Sequence, residues 1–289
     1  MNWNFKRSNI WLRLSVLLML ASLTCFGVIA CSSADSASGG SQEVVFATED
    51  DYPPYDFLEE GKHVGYNQEL LELVTKDAPF EVKQEILPFQ GILTGIATNK
   101  YDATNAAIAI LEERLETIDY TMPVTDITNY FIKRKGDPIN SVDDMADKTI
   151  GIQQGSVTAQ IVAEQINPAL KAAGKPEAKT VEYGAFAEAY QDLENGRVDV
   201  VMNNLVALTQ VTDEKPDVFE ILEEPIGGRL YAAWAVKEGK EDILQFLNDG
   251  LARAKADGSL EQLQEKWLGV TFDLPDEPRL PGDKPIPAS

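Results

Sequence analysis

The chain has 289 residues and carries 47 acidic against 25 basic side chains, a formal net charge of −22, with one His and two Cys. That length suits about two domains, and 44% hydrophobic with 25% charged residues is a globular composition. The acidity argues against a nucleic-acid binder, which needs a basic face, and against adhesion to anionic lipid through a polybasic patch. The one His, His63 in Gly61-Lys62-His63-Val64-Gly65, argues against a His-based zinc site or a Ser-His-Asp triad, and reads as a solvated turn residue.

The N-terminus reads as a targeting segment. Lys6, Arg7 and Arg13 form a positive region, and Leu14 to Cys31 then runs without a charge. An uncleaved membrane helix is the competing reading for a run of this length. Gly27-Val28-Ile29-Ala30-Cys31 has the pattern of a bacterial lipobox, with small Ala30 before the acyl acceptor Cys31; Cys25 follows Thr24 and fits worse. Residues 32–41 are a Ser/Gly-rich tether. Residues 1–30 are therefore expected to be a signal peptide, and residues 31–42 a lipidated Cys with its tether.

Strand and helix then alternate. Val44 to Ala47 is a short apolar strand, followed by an acidic, Pro-bearing loop from Thr48 to Tyr55. Tyr66 to Val74 has helical spacing, Phe80 to Ile86 alternates as a strand, and Gly91 to Thr98 turns Ile92, Leu93 and Ile96 inward as a helix. Strands are expected at Thr149–Ile152, Val198–Met202 and Tyr231–Val236. Helices are expected from a cap at Ser156 to about Gln165, over Ala185–Asn195, and along the stripe Ile243, Leu244, Leu247, Leu251, Ala254. The order means α/β with mostly parallel sheets. Asn99–Asn105 and Gly196–Asn204 are near-repeats, each a polar turn, an Asp, then a strand ending in Asn, as two similar lobes would produce. Ligands of such sheets bind beyond the carboxyl ends of strands, so these Asn are candidate cleft positions. Residues 275–289 hold five Pro and are expected to be an extended tail.

Several stretches together carry a resemblance. They are Ala47-Thr48-Glu49-Asp50-Asp51-Tyr52-Pro53-Pro54-Tyr55-Asp56-Phe57, Gly65-Tyr66-Asn67-Gln68-Glu69-Leu70 and Phe89-Gln90-Gly91-Ile92-Leu93. Glu112-Glu113-Arg114 follows, with Ile118 to Pro123, then Gly151-Ile152-Gln153-Gln154-Gly155-Ser156, Asp257-Gly258-Ser259-Leu260 and Lys266-Trp267-Leu268-Gly269. In order and spacing, roughly residues 43–270 resemble the family 3 extracellular solute-binding proteins, the capturing subunits of polar amino-acid ABC importers. The resemblance implies a two-lobed, type II periplasmic-binding-protein fold, with two mostly parallel sheets flanked by helices and joined by two hinge strands. Lobe 1 would hold residues 43–126 and 230–272, lobe 2 residues 127–229, and residues 273–289 the tail.

The resemblance also implies a site. Tyr52 and Phe89 correspond to aromatic walls that sandwich the solute, and such faces attract cations. Arg114 corresponds to the Arg that grips a carboxylate with its planar fork. Gln154, Ser156 and Thr158 fall at the start of the second lobe, where backbone N–H groups favour an anion. Four positions depart from the family pattern. Ala107 and Ala109 stand where hydroxyl residues are usual, Val157 where Thr is common, and Asn204 where an Asp pairs with the α-ammonium; an amide supplies no charge. Glu49 or Asp50 is the candidate compensating acid.

The reading is thus a lipid-anchored monomer of the cell envelope, in the periplasm or on the outer face of the cytoplasmic membrane. It is expected to capture a small amino acid or amino-acid-like carboxylate and deliver it to an ABC permease, with no metal or cofactor. The alternatives are a cyclohexadienyl-dehydratase-like enzyme on the same fold, with Glu49 as its general acid, and a sensor domain serving a separate receptor.

Overall fold

A computed structural model describes residues 42–287; Cys31 and the charge-free run before it lie outside them. The chain begins with β1 (Gln42–Glu49) and β2 (Asp51–Tyr52), then β3 (Asp56–Glu59) and β4 (Lys62–Val64), which pair as a hairpin. Next come α1 (Tyr66–Thr75), β5 (Phe80–Leu87), α2 (Gln90–Ala97), β6 (Ala103–Ala109) and β7 (Ile118–Asp126). β8 (Asn129–Arg134) starts a second group: β9 (Thr149–Gln153), α3 (Thr158–Ile161), α4 (Asn167–Ala172), β10 (Lys179–Tyr183), α5 (Phe186–Glu194), β11 (Val200–Asn204), α6 (Leu205–Glu214) and β12 (Phe219–Ile221). The chain returns through β13 (Tyr231–Lys237) to α7 (Glu241–Ala256) and α8 (Ser259–Leu268), and ends in a small hairpin of β14 (Arg279–Leu280) and β15 (Lys284–Pro285).

Two five-stranded sheets result, one per lobe, in the orders β5-β1-β6-β13-β7 and β10-β9-β11-β8-β12. In the first, β13 runs antiparallel to both its neighbours; in the second, β8 does. Every other strand of each sheet points one way, so one reversed strand per sheet is what the sequence pattern does not announce. That strand is the one entered directly from a crossing between the lobes. The two crossings are tied together. Ile127 N donates to Leu230 O at 2.8 Å, Leu230 N to Thr128 Oγ1 at 3.1 Å, and Arg229 pairs with Asp126 at 3.0 Å.

The first lobe's core shows why the apolar periodicity had to be helical on one side and continuous on the other. α7 buries Ile243, Leu247, Leu251 and Ala254, spaced by three and four residues. It lies so close to α1 that a Cβ on Gly250 would stand 2.5 Å from Val74 Cγ1. β13 has helices and sheet neighbours on all sides, and its first six residues are buried. Trp234 in its middle is fully buried, with Nε1 donating to Asn67 Oδ1 at 3.2 Å. Gly65 precedes α1 at φ 127°, with the Tyr55 carbonyl 2.3 Å from where a Cβ would sit, so only glycine fits there.

Four local features need comment. His63 is not a solvated turn residue. The turn is at Glu60–Gly61, and His63 lies on β4, which folds over the end of β1. Its side chain is 7% exposed; Nε2 is 3.1 Å from the Glu49 carbonyl oxygen, and Nδ1 is 2.8 Å from Gln68 Oε1. The helix expected from Ser156 starts at Thr158 and continues through a π-helical turn at Val162–Ile166 into α4. Asn105 does not end a strand: β6 runs on through buried Ala106–Ala109, leaving Asn105 in mid-strand with neither amide atom partnered. The Pro-rich tail, for which packing on the body was one of two open outcomes, packs on it. Leu274 and Leu280 are buried, and Gly282 N donates to Arg229 O at 2.8 Å, beside the second crossing.

Candidate functional site

The carboxyl ends of β1, β6, β9 and β11 meet between the lobes. The space enclosed there is about 40 Å³. From the first lobe it is lined by Tyr52, Phe89, Ala107, Ala109 and Arg114; from the second, by Gln153, Ser156, Val157, Thr158, Phe186, Asn203 and Asn204. Ile127 of the first crossing and Asn129, the first residue of β8, complete the wall. A larger groove of about 950 Å³ runs past Phe57, Leu205 and Trp267. The smaller space is the candidate site because it gathers a guanidinium, hydroxyls and amides onto one point, and chemistry outranks volume.

Arg114 ends a 3-10 turn (Glu112–Arg114) that follows β6. Its guanidinium reaches across the space, with Nη1 donating to Ala109 O at 3.1 Å and Nη2 to Gly155 O of the other lobe at 3.4 Å. The remaining N–H groups of the fork are left for an anion. Ser156 Oγ bonds Gln153 O at 2.8 Å and lies 2.6 Å from Thr158 Oγ1. Ala107 and Ala109 present methyl groups where hydroxyls would have offered further donors to the same anion.

The second lobe closes on the first through the site's own side chains. Tyr52 OH donates to Asn203 Oδ1 at 3.0 Å and accepts from Asn204 Nδ2; Tyr55 OH donates to Asn204 Oδ1 at 3.3 Å. Four rings run in series, Tyr55, Tyr52, Phe186 and Tyr190, with centroids 5.1, 5.5 and 6.1 Å apart. Such offset stacks favour the closed arrangement. A solute reaches the wall when the lobes part about their two crossings.

Glu49, at the end of β1, is buried, and its Oε1 accepts from Gln153 Nε2 at 2.5 Å while Oε2 has no partner. Burial holds its carboxyl well above the usual carboxylate range; the Gln153 bond lowers it, and the charge of Asp56 raises it further. Glu49 does not line the space but stands behind Gln153. Asp56 is also fully buried, and desolvation pushes it up to about 8 against hydrogen bonds from Asn67 and Thr48.

Of the residues singled out in the sequence, Tyr52, Phe89, Ala107, Ala109, Arg114, Ser156, Thr158 and Asn204 line this space. Gln154 is exposed and does not; the buried neighbour Gln153 takes the place. The sequence carried a signal for this, since Gln153 is the last residue of β9 and ligands sit at strand ends. Asn129, Phe186 and Asn203 were missed. Asn203 shares the strand end of Asn204. Phe186 meets Tyr52 only through closure of the lobes, which no local pattern encodes.

This geometry, two lobes closing on a polar wall around a single guanidinium, defines a two-lobed solute-binding protein of the type II periplasmic class. The chain belongs to the bacterial extracellular solute-binding proteins, family 3, whose sequence profile matches residues 44–270. It is 25% identical over 246 residues to the putative ABC transporter arginine-binding protein 2 of Escherichia coli K12, covering 83% of this chain and 97% of that one. A solved ancestral arginine-binding protein bound to glutamine is 32% identical, with a TM-score of 0.69 over 79% of this chain and 98% of its own. A structure described for glutathione import through the cystine importer of Streptococcus mutans shares the fold at TM-score 0.75 and 22% identity, over 81% of this chain and 98% of that one.

Proposed function

We propose that this protein is the substrate-binding subunit of an ABC importer. It captures a small amino acid or amino-acid-like carboxylate between its lobes and presents the closed form to the membrane permease. The observation that carries this reading is Arg114, which spans the space from β6 to Gly155 O of the opposite lobe. A carboxylate that engages the rest of its fork joins anion recognition to closure. The relatives named for arginine binding support an importer of polar amino acids. We place the protein in the cell envelope as a monomer held by a lipid on Cys31.

Isothermal titration calorimetry with amino acids and small carboxylates tests the assignment. A carboxylate that binds the wild type and is lost in Arg114→Ala supports it; one that binds both equally removes Arg114 from the site. An enzymatic reading has one support, the buried and partly unpartnered Glu49, which has the environment of a general acid. Turnover of a cyclohexadienyl acid that is lost in Glu49→Gln would replace capture by dehydration.

A further inference from the structure

Among the described residues, Arg114 is the one charged side chain on the wall of the interlobe space, and no carboxylate lines it. Glu49 stands behind the wall with Oε1 taken by Gln153. A free amino acid brings a carboxylate and an ammonium, and only the first meets a counter-charge on this wall.

Where the ammonium would be expected, the second lobe presents amides. Asn129 on β8 and Asn204 on β11 are direct register partners, and Asn203 adjoins them. Asn203 and Asn204 are spent on structure: Asn203 Nδ2 donates to Tyr190 OH at 2.9 Å, its Oδ1 accepts from Tyr52, and Asn204 Oδ1 accepts from Ala207 N at 3.1 Å as the cap of α6. Asn129 is not spent. It is 4% exposed, lines the space, and its Nδ2 has no hydrogen-bond partner in the protein. A buried N–H without an acceptor is costly, and what relieves it is an acceptor brought into the cavity. An ammonium offers only further donors. A neutral carbonyl oxygen supplies what is missing.

We infer that this site selects a carboxylate whose neighbouring nitrogen is acylated, an N-acyl or peptide-like amino acid of net charge −1 at the wall. Its carboxylate binds Arg114 and its amide carbonyl accepts from Asn129 Nδ2. The inference rests on the capture reading above and narrows it.

Calorimetry on the full-length protein with matched pairs tests it: L-arginine, L-glutamine and L-histidine, each against its N-acetyl derivative. At least one acetylated member binds about tenfold or more tightly than its free partner, and Asn129→Ala weakens that member by about tenfold. Asn204→Asp keeps a good helix cap while placing a charge beside the amide, and it inverts the preference toward the free amino acid. Should Asn129→Ala fail to fold, the inversion in Asn204→Asp decides. Wild-type protein that binds free amino acids as tightly as their acetylated partners, or tighter, overturns the inference and leaves solute capture standing. An acetyl preference that neither variant alters overturns the role of the amides. If neither series binds, the capture reading falls and the inference with it.

Discussion

The two walls of the site are built from opposite materials. The first lobe offers one full charge, Arg114, set among aromatic and methyl surfaces from Tyr52, Phe89, Ala107 and Ala109. The second offers neutral donors and acceptors from Gln153, Ser156, Thr158, Asn203 and Asn204. A charge acts at a distance and tolerates angle, whereas neutral hydrogen bonds demand contact and alignment. The first lobe is therefore suited to hold a solute before closure, and the second to read it during closure. The lobes differ in construction in the same sense. Arg114 sits on a short turn after a long buried strand, while every second-lobe polar group comes from a strand end or the residues just beyond it.

The largest expected effect breaks the charged wall. Arg114→Ala removes the one cation on the wall, and losing a desolvated charge partner costs about 2–5 kcal/mol, so affinity measured by calorimetry falls on the order of 10²-fold or more. A fall below about threefold would mean that neutral groups carry the anion. Next comes the aromatic series that joins the walls. Phe186→Ala removes a stack worth about 0.5–1.5 kcal/mol beyond its area. The solute-free protein should then show a larger radius of gyration in small-angle scattering; an unchanged radius would assign closure to the Tyr52–Asn203 and Glu49–Gln153 bonds instead.

The contrast can also be blurred deliberately. Ala107→Ser with Ala109→Ser gives the first lobe the hydroxyls it lacks. Each new bond to a carboxylate is worth roughly 0.5–1.5 kcal/mol, so affinity for carboxylate solutes rises several-fold. A decrease would show that these walls are shaped for methyl contact. The last effect concerns the carboxyl buried behind the first lobe's wall. Burial pushes the Asp56 carboxyl up to about 8 in the folded protein, against near 4 when unfolded. Between these values the folded state keeps a proton the unfolded chain has lost, so stability is highest below that window and falls as pH rises through it. Asp56→Asn lacks this slope, so its melting temperature should fall less than the wild type's between pH 5 and pH 8. Parallel curves would assign the slope to other groups.

The lobes' alternating elements, and the positions of Arg114 and Asn204, were legible because each rests on local pattern. A periodic apolar face or a short motif survives without knowledge of what it packs on. What escaped depended on distance in sequence. Phe186 meets Tyr52 across the closed lobes, Asn129 becomes a site residue only because β8 pairs with β11, and His63 is covered because its hairpin folds against β1. Asn105 misled for a related reason. Its repeat resembled that of Asn204, but the apolar run Ala106–Ala109 carried β6 onward and buried the amide in mid-sheet.

The position of β13 has a consequence for how the chain is made. It lies between β6 and β7, yet follows β6 by more than a hundred residues. A chain synthesised from its N-terminus carries the two flanking strands long before the one that joins them, while the second lobe, continuous from β8 to β12, has its whole sheet in hand. The second lobe is therefore the first whose strands are all available. The first waits for Tyr231–Lys237, an apolar segment with a single charge. Non-local pairing of this kind is slow. A partner that holds the nascent chain unfolded until Lys237 has emerged spares it a half-built sheet with two open edges.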